Sequence, residues 1–312
     1  MPIKNEKYEN DTYTHLFNKW SFSLSDFQKY AIEGIHKEKH VLITAHTGSG
    51  KTLPAEFAIE HFIKNGKKVI YTAPIKALSN QKFRDLQNKF PEIDFGILTG
   101  DIKFNPEAQV LIMTTEILRN TLFQKQMIEN DIIKEEKIKL HFEMDIHNEL
   151  GCVIFDEVHY INDKDRGKVW EETIIMLPKT VQMVMLSATI DKPDKFASWV
   201  EKQSEREVWL CPTNKRVVPL THNSFITFPQ CIYNTLPLKI KNIIEEEKLY
   251  ESTILLKEQN KPFDDAKYHK ILKVMKHFKL NNIRVNDTFV LNQLVKYLKR
   301  KKLIPAICFV FS

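Results

Sequence analysis

The sequence lacks any long hydrophobic run. No segment approaches the roughly 20 consecutive apolar residues that a membrane-spanning helix needs. The first residues, MPIKNEKYENDTYTHLFNKW, contain no apolar core of the kind that a secretory signal requires. The chain has 312 residues, of which 43% are hydrophobic and 28% charged. We therefore expect a soluble, intracellular protein, cytoplasmic or nuclear, with a sizeable core in one large or two ordinary domains.

Cysteine is also scarce. The four cysteines, Cys152, Cys211, Cys231 and Cys308, lie far apart, and no C-x-x-C pair is present. This usage is typical of a reducing, intracellular compartment, and it argues against a zinc site or a disulfide framework. The sequence contains no internal repeat and no low-complexity tract.

Arginine is the scarce cation, and its place is taken by lysine. Only seven of the 46 basic residues are arginine, and none follows Arg300. Residues 251–312 carry 13 basic and 5 acidic residues, whereas residues 1–250 carry 33 and 35, so the positive charge is concentrated in the last fifth of the chain. A basic segment of this kind either binds nucleic acid or is a solvated helix face, and composition does not distinguish the two.

From about residue 39 to 190, short apolar runs alternate with segments of helical periodicity, such as TLPAEFAIEHFIKNG and ALSNQKFRDLQNKF. Near-continuous apolar strands between helices predict an α/β fold with a parallel sheet covered on both faces. Ligands of such sheets bind where the carboxyl ends of the strands gather. The predicted strands are HVLITA (40–45), KVIYTA (68–73), FGILT (95–99), QVLIM (109–113), GCVIFD (151–156) and VQMVMLS (181–187).

Two regions depart from this alternation. Residues 121–150 are polar, charged and poor in turn residues, which predicts a largely helical surface insertion. After Pro212, the segments KIKNIIEEEKLYESTILLKEQNK and DDAKYHKILKVMKHFKL have helical character, and a last helix over about 288–302 leads into a short apolar strand, PAICFVFS (305–312). In the second of these segments we expect four apolar residues on one side of the helix: Ile271, Leu272, Met275 and Phe278.

The stretch AHTGSGKT follows the first predicted strand and precedes a helix. Backbone N–H groups in such a loop, together with the helix N-terminus, form a concavity for phosphate oxygens, and glycines allow the close approach. Lys51 would reach the β- and γ-phosphates, and the Thr52 hydroxyl would ligate Mg²⁺. The usual pattern begins with glycine, so Ala45 leaves open a turn with no ligand. The predicted phosphate site comprises Ala45, His46, Thr47, Gly48, Ser49, Gly50, Lys51 and Thr52.

A second motif, CVIFDEVH, ends an apolar strand in two carboxylates. Asp156 would hold Mg²⁺ through water, and Glu157 would orient or deprotonate an attacking water molecule. Carboxylates at strand ends are often only solvated or capping, but the two motifs in order in one predicted sheet favour a catalytic pair. A third element, SAT (Ser187, Ala188 and Thr189), ends the next strand.

Together these motifs resemble those of superfamily-2 DExH-box helicases, and within them the exosome-associated, superkiller-type RNA helicases. The resemblance runs from about Phe22 to Ser312, and in that family the phosphate loop begins with alanine, as it does here. FSLSDFQKYAI is similar to the adenine-contacting segment, which implies Gln28 as the base reader and Phe22 as a stacking residue. The other similar segments are APIKALSNQKFRDL (73–86), NPEAQVLIMTTEILRN (105–120), VIFDEVHYINDKDRGKVWEETIIMLP (153–178), KRVVPLTH (215–222) and ICFVFS.

The resemblance implies a parallel-sheet RecA-like P-loop motor domain, followed by the incomplete start of a second RecA-like domain. Residues 1–21 would be an N-terminal extension and residues 22–212 the ATP-binding domain, interrupted by the insertion at 121–150. Residues 213–312 would form a linker, a basic helical region and the first strand of the second domain. The insertion is longer than the link that the family usually has there.

The resemblance also implies a path for the backbone of a single RNA strand along consecutive strand ends. Lysine, arginine and hydroxyl groups there suit phosphates rather than base edges, and such contacts give affinity without sequence specificity and with strong salt dependence. The alternative interpretation of MTTEILRN is a helix cap with a solvated arginine. The implied contacts are Pro74, Lys76, Gly100, Asp101, Thr114, Thr115 and Arg119.

By resemblance we expect an ATP-dependent RNA helicase of the 3'-5' type that uses ATP and Mg²⁺ and acts with the RNA-degradation machinery. Lys51, Asp156, Glu157 and His159 would be catalytic, and His159 with the SAT segment would couple hydrolysis to strand movement. The family's second domain supplies arginine fingers whose loss can cost about 10³–10⁵ in rate. Nothing in this sequence matches that segment, so we expect residues 1–312 alone to bind ATP–Mg²⁺ weakly and to hydrolyse it slowly.

Three alternatives remain at this point. A DNA helicase or translocase of the same superfamily would share the nucleotide motifs, although PIKALSNQ and DRGKVWEE favour the RNA branch. A non-catalytic, nucleotide-gated nucleic-acid-binding module would retain the same loop. A P-loop kinase or GTPase explains the DEVH and SAT elements poorly.

Overall fold

The apolar runs form one central sheet in the first of two units, Met1–Val217. The computed structural model describes residues 1–130, 132, 140–216, 218–250, 252–259 and 261–309. The strands of this sheet are β1 (His40–Ala45), β2 (Lys68–Ala73), β3 (Phe95–Leu98), β4 (Lys103–Phe104), β5 (Val110–Thr114), β6 (Leu150–Phe155), β7 (Gln182–Ser187) and β8 (Val208–Thr213). Their spatial order is β4-β3-β5-β2-β6-β7-β1-β8, and every pairing is parallel except that of β4 with β3.

The predicted α/β fold with a parallel sheet is therefore confirmed, and each of the six strands predicted between residues 39 and 190 is present. Two strands of the sheet were not predicted. β4 is too short to give a pattern, and β8, VWLCPT, follows the range in which apolar runs alternate with helices. β8 pairs with β1 from His40 to Ala45 and so lengthens the sheet beside the phosphate-loop strand.

Helices cover both faces of the sheet. They are α1 (Thr14–Phe17), α2 (Asp26–His36), α3 (Thr52–Lys64), α4 (Lys76–Lys89), α5 (Thr115–Glu129), α6 (Gly167–Met176) and α7 (Pro193–Ser204), with 3₁₀ helices at Asp11–Tyr13 and Val158–Asn162. α2, α3 and α4 pack with alternate strand residues such as Val41 and Ile43 in one core. α5, α6 and α7 pack with the intervening residues, such as Leu42, in the other. Both faces of each central strand are thus buried, which is why the strands are mostly apolar.

The predicted helical surface insertion at 121–150 is only partly correct. α5 continues to Glu129, but residues 131 and 133–139 lie outside the described residues. Beyond them, Phe142, Met144 and Ile146 are buried in the core beneath α5 and α6. This part of the segment contributes to the core because its apolar side chains alternate with polar ones.

The second unit, Val218–Ser312, has a core of its own. It contains the antiparallel strands β9 (His222–Ile226) and β10 (Ser252–Lys257) and the helices α8 (Gln230–Thr235), α9 (Leu238–Glu246), α10 (Asp265–Leu280) and α11 (Asp287–Arg300). Phe228, Val274 and Phe278 lie at the centre of this core.

Three expectations for this unit need correction. The segment STILLK, expected to be helical, is β10, since its β-branched and aliphatic residues pair with β9. On α10, Leu272 and Met275 are exposed, and Val274 joins Ile271 and Phe278 on the buried side. Residues 305–309, expected to begin a strand, form none in this structure, and residues 310–312 lie outside the described residues.

In the part of the chain that the structure describes, no helix has the length and apolarity to cross a membrane.

Candidate nucleotide and nucleic-acid site

The order of the sheet decides which strand ends lie together. β7 lies between β1, which leads into the phosphate loop, and β6, which leads into the DEVH carboxylates. β2, β5 and β3 form the adjoining part of the sheet, and their carboxyl ends carry the predicted nucleic-acid contacts. Because these strands are parallel, their loops emerge at one edge of the sheet. Both predicted sites therefore lie along the same edge.

The phosphate loop turns sharply between β1 and α3. Gly48 and Gly50 both have a φ of +83°, a conformation that glycine adopts without strain. The carbonyl of His46 accepts hydrogen bonds from the backbone N–H (3.1 Å) and the hydroxyl (2.5 Å) of Ser49. α3 begins at Thr52, directly after the loop. The loop amides and the helix N-terminus are thus arranged as in a phosphate-binding concavity.

Ala45 is fully buried in the core on the α3 side of the sheet. Its methyl group therefore fits where the usual phosphate-loop pattern has glycine. Thr47, in contrast, is exposed at the tip of the loop.

Lys51 and the DEVH segment meet across the end of β7. Lys51 Nζ lies 3.1 Å from Glu157 Oε1, and His159 Nδ1 lies 3.3 Å from Glu157 Oε2. The side chain of Lys51 is 10% exposed and that of Glu157 25% exposed, so the ion pair is largely shielded from water. Glu157 thus lies within 3.3 Å of two other residues predicted to be catalytic, although Lys51 and Glu157 are 106 positions apart in the chain.

Asp156 faces a different set of partners, which sequence analysis did not reveal. Its Oδ2 accepts a hydrogen bond of 2.7 Å from the hydroxyl of Tyr71 on β2 and lies 3.6 Å from Lys82 Nζ on α4. Its Oδ1 accepts a hydrogen bond of 3.0 Å from the backbone N–H of Glu157. Burial, followed by the neighbouring Asp156 carboxylate, raises the pKa of Tyr71 well above its usual range, so this phenol stays a donor. Tyr71 lies inside an ordinary apolar strand and Lys82 inside an ordinary helix, so no sequence signal marked them.

Gln28, the predicted base reader, contacts the phosphate loop. Its Nε2 donates to the carbonyl of Gly50 (3.0 Å), and its Oε1 accepts from the backbone N–H of Ser25 (2.9 Å), where it completes a capping box at the start of α2. Phe22, the predicted stacking residue, is 57% exposed. A base contact by either residue stays a prediction.

A cavity of about 620 Å³ opens beside the phosphate loop. Its volume is within the range of about 300–1,000 Å³ that is usual for small-molecule sites. Its walls include Ser49 of the phosphate loop, the segment that begins α2, and the residues that follow β8. Cationic side chains from both ends of this unit also line it: Lys4, Lys215 and Arg216.

The SAT segment lies between the two nucleotide motifs because β7 is the strand between β1 and β6. Ser187 is fully buried, and its hydroxyl has no hydrogen-bond partner among the described residues. Ala188 is partly buried and Thr189 is exposed. A buried hydroxyl without a partner is unusual, because leaving such a group unpaired costs about 1–3 kcal/mol.

The predicted nucleic-acid contacts divide into exposed and buried residues. Lys76, at the start of α4, pairs with Asp101 at 2.6 Å, and both side chains are exposed. Gly100 is exposed next to them, and a Cβ at this position would meet Lys76 Nζ at 3.1 Å. The structure thus brings three of these residues together from two separate loops.

The segment at the start of α5 differs from its prediction. Thr114 is largely buried and occupies the N-cap position without a side-chain capping bond, and Thr115 is fully buried with its hydroxyl unpaired among the described residues. The hydroxyl of Thr115 is therefore not presented at the surface, and Thr114 is only 7% exposed. Arg119 forms an ion pair with Glu172 of α6 at 3.1 Å, and its side chain is 36% exposed.

Pro74 is buried, and its carbonyl accepts a hydrogen bond of 2.6 Å from Arg166 Nη2. Arg166 belongs to the segment DRGKVWEE, which resembles the RNA branch of the family, but the sequence assigned no role to it.

The site as a whole defines a class of protein. One parallel sheet carries a glycine-containing phosphate loop, a DEVH strand end beside it and a SAT strand between them. This arrangement defines a P-loop nucleoside-triphosphatase domain of the helicase type.

The comparison with protein families agrees with this class. The family model described as DEAD/DEAH box helicase matches residues 25–196, which is more than half of the chain, and the chain belongs to this family. ATP is the nucleotide that this family uses.

Two relatives illustrate the relationship and confirm the resemblance to the superkiller-type branch. The antiviral helicase SKI2 of Saccharomyces cerevisiae is 43% identical over 221 residues, which cover 70% of this chain and 16% of that protein. The ATP-dependent RNA helicase mtr4 of Schizosaccharomyces pombe is 36% identical over 293 residues, which cover 94% of this chain and 24% of that protein. The chain thus matches a quarter or less of the length of each relative.

Among solved structures, the DUF1998 helicase MrfA, in a crystal structure with DNA and AMPPNP, is similar with a TM-score of 0.51 and 17% identity. The match covers 76% of this chain and 33% of that one. At this identity the similarity supports the RecA-like fold alone.

Proposed function

We propose that this chain is the ATP-binding part of an ATP-dependent RNA helicase that couples ATP hydrolysis to 3'-5' translocation on RNA and to its unwinding. The observation that carries the proposal is the contact of Lys51 with Glu157 across the end of β7. It joins the phosphate loop to the DEVH carboxylates at the edge where the predicted nucleic-acid contacts also lie. The names of the relatives, ATP-dependent RNA helicase among them, support RNA as the substrate.

In this proposal, Lys51 and the loop amides hold the β- and γ-phosphates of ATP. The phosphates compete with Glu157 for the Lys51 ammonium group, because both are anions within reach of the same cation. A Glu157 carboxylate released in this way can accept a proton from the attacking water. His159 Nδ1 lies 3.3 Å from the other carboxylate oxygen, and we assign this residue to the coupling of hydrolysis to strand movement.

The oxygen donors at this site suit Mg²⁺. The Thr52 hydroxyl and the Asp156 carboxylate are hard ligands, and Mg²⁺ is commonly held by one or two carboxylates together with substrate phosphates. Among the described residues, no cluster of three or more histidine, cysteine, aspartate or glutamate side chains could hold a metal ion by itself. When bound, Mg²⁺ would neutralise charge that develops on the phosphates. Tyr71 and Lys82 would keep the Asp156 carboxylate oriented for it.

The RNA strand would lie along the ends of β2, β3 and β5, with its phosphates near Lys76 and Arg119. Both cations are held by carboxylates, Asp101 and Glu172, which phosphates would replace. Because Thr115 is fully buried and Thr114 largely buried, backbone N–H groups at the start of α5 are the donors that we expect there. By resemblance, RNA-degradation machinery is the partner that we propose for the complete protein.

The test compares nucleotide and nucleic-acid binding by the wild type and two variants. Lys51→Ala should weaken binding of a fluorescent ATP analogue with Mg²⁺ by on the order of tenfold to a hundredfold, because a charge-assisted contact is lost. Glu157→Gln should bind the analogue at least as tightly as the wild type, because the competitor for Lys51 loses its charge, and it should not hydrolyse ATP. Equal affinity of wild type and Lys51→Ala would contradict the nucleotide site.

The nucleic-acid arm uses a single-stranded RNA and a DNA of the same sequence. We expect preference for RNA and, as predicted from the sequence, only slow hydrolysis of ATP by residues 1–312 alone. Robust RNA-stimulated turnover by residues 1–312 would contradict that expectation. Tighter binding of the DNA strand would favour a DNA translocase. Nucleotide-dependent RNA binding without any turnover by the complete protein would favour a non-catalytic module.

A further inference from the structure

Arg166 stands at the junction between the DEVH segment and α6. It is the N-cap residue of α6, and its backbone N–H donates to Asp163 Oδ1 at 2.9 Å. The next residue, Gly167, donates its N–H to the carbonyl of Asp163, also at 2.9 Å. The backbone of Arg166 is therefore fixed by the turn that follows the 3₁₀ helix Val158–Asn162.

The guanidinium group of Arg166 extends from this junction to two other segments. Its Nη2 donates to the carbonyl of Pro74 at 2.6 Å, and its Nε donates to Glu116 Oε1 at 3.1 Å, with Nη2 also bonded to the same carboxylate oxygen. Its Cζ lies 5.9 Å from the ring centroid of Trp170, which is fully buried. The side chain of Arg166 is 37% exposed and that of Glu116 34% exposed. Protein groups thus use the Nε and Nη2 donors and one side of the guanidinium plane.

The two segments joined by Arg166 are the ends of neighbouring strands. Pro74 follows β2 and precedes Lys76, whereas Glu116 follows β5 and the predicted contacts Thr114 and Thr115. β2 and β5 pair in parallel up to Ala73 and Thr114, so the sheet itself stops directly before the two segments. Beyond that point, Arg166 is hydrogen-bonded to both segments.

We propose that Arg166, together with Glu116, is a positioning residue that fixes these two strand ends in the arrangement in which they bind the RNA backbone. This inference rests on the proposed function of the same edge. Arg166 acts through Pro74 and Glu116 rather than by contact with a phosphate. Arginine is suited to the role because its planar fork can bond a carbonyl and a carboxylate at once, which the point charge of lysine cannot do with the same geometry.

A direct phosphate contact is the competing role for an arginine at this edge, and three variants separate the two. The single changes Arg166→Gln, Arg166→Lys and Glu116→Gln are compared by the affinity for a fluorescent single-stranded oligouridylate at several salt concentrations. For positioning, each variant should bind about five- to tenfold more weakly, and the dependence on salt should be unchanged, since no phosphate contact is removed.

A direct phosphate contact gives the opposite pattern. The salt slope of Arg166→Gln would then fall by about 0.7, the value for one phosphate on a single strand, and lysine would restore most of the affinity. Glu116→Gln would bind RNA more tightly, because a negative charge near the phosphates is removed. Any of these results would overturn the positioning role. Arg84→Gln and Glu92→Gln, which change exposed residues of the same charge, serve as controls for the general field.

A readout without RNA separates this inference from the proposed function. Amide hydrogen exchange at residues 75–77 and 114–117 should speed up severalfold in Arg166→Gln and Glu116→Gln, because both segments lose the same restraint. Unchanged exchange at both segments would overturn the positioning role even if RNA is bound. Failure of the wild type to bind RNA, with exchange increased in the variants, would contradict the proposed function alone. Thermal unfolding of each variant checks that it is folded. Of the three variants, Arg166→Lys alters the side chain least.

Discussion

Adjacent carboxylates of the DEVH motif have different environments, and the backbone at Glu157 is the cause. Glu157 has a φ of 50° and a ψ of 46°, in the left-handed region that residues with a side chain seldom adopt. Such a conformation costs about 1 kcal/mol or more and persists where the surroundings enforce it. It ends β6 abruptly, so that Asp156 bonds to Tyr71 and Glu157 bonds to Lys51. The backbone conformation of Glu157 thus directs the predicted metal ligand, Asp156, and the predicted base, Glu157, to different partners.

Tyr71→Phe is expected to alter the dependence of nucleotide binding on Mg²⁺. The change removes only the hydroxyl that donates to Asp156 Oδ2, so the carboxylate loses a charge-assisted bond but no packing. Stability should fall by about 1.5–3 kcal/mol, and the Mg²⁺ concentration that half-saturates binding of an ATP analogue should rise severalfold. The measurement is a Mg²⁺ titration of analogue fluorescence.

Tyr30→Phe is the control for this prediction, because its hydroxyl donates to the carbonyl of Lys7 near the surface. If Tyr71→Phe lowers stability but leaves the Mg²⁺ titration of the wild type unchanged, Tyr71 supports the fold and does not position Asp156.

His40 should make stability depend on pH. It is fully buried, its Nδ1 accepts the backbone N–H of Met183 at 2.9 Å, and burial, helped by the positive charge of Arg206, lowers its pKa from 6.5 to about 3. Because the folded pKa is below the unfolded one, the stability from neutral His40 is complete above about pH 6.5 and is lost as the pH falls toward 3, by up to about 1.4 kcal/mol per pH unit.

The variant for this prediction is His40→Asn, which keeps an acceptor near the position of Nδ1 but does not titrate. Urea unfolding at pH 7.5, 6.0 and 5.0 gives the free energy of unfolding of both proteins. The advantage of the wild type over the variant should shrink from about pH 6.5 downward. A difference that stays constant with pH would show that the pKa of His40 is the same in the folded and unfolded protein, so that its protonation is not linked to folding.

Among the elements, the 3₁₀ helix Val158–Asn162 and α6 are packed so closely that only glycine fits at their junction. A Cβ on Gly167 would lie 2.2 Å from the carbonyl oxygen of Ile161, which belongs to the backbone and cannot move aside alone. This close approach holds α6, and with it Arg166, against the segment that carries Glu157.

Gly167→Ala should therefore destabilise the protein by about 1–3 kcal/mol or more, because one of the two elements must shift. Gly100→Ala is the matched control. Its Cβ would meet the flexible end of Lys76 at 3.1 Å, so the expected cost is small. Chemical denaturation measures both, and equal stabilities of the two variants would contradict the proposed packing.

Elements with strong periodicity were predictable, and those defined by pairing were not. β1, β2 and β6 are mostly apolar because helices cover both faces, and that pattern is local. β10 was mistaken for a helix because a strand in a two-stranded sheet shows no strict alternation, and its pairing with β9 is not visible in its own residues. Val274 was missed, and Leu272 and Met275 wrongly included, because the buried side of α10 is set by what packs on it.

At the scale of the whole molecule, the two units have separate cores, and every predicted nucleotide contact lies in the first. Residues 1–217 alone should therefore fold and bind an ATP analogue with an affinity within about twofold of that of residues 1–312, because the sheet that holds the phosphate loop and the DEVH carboxylates is complete within them. Titration of a fluorescent analogue measures both. Loss of binding on removal of residues 218–312 would contradict this expectation.

The sequence alone determined the class of fold and predicted the chemistry of the nucleotide site. Phosphate loops, acidic strand ends and apolar strands are local patterns, since each arises from residues that are close together in the chain. Tertiary structure decided which of these groups meet: β7 came to lie between β1 and β6, Lys51 to pair with Glu157, and Arg166 to join the ends of β2 and β5. It also buried Thr114 and Thr115, which the sequence presented as surface donors. Strand order and long-range contacts depend on how helices pack over a twisted sheet, and no short segment encodes that.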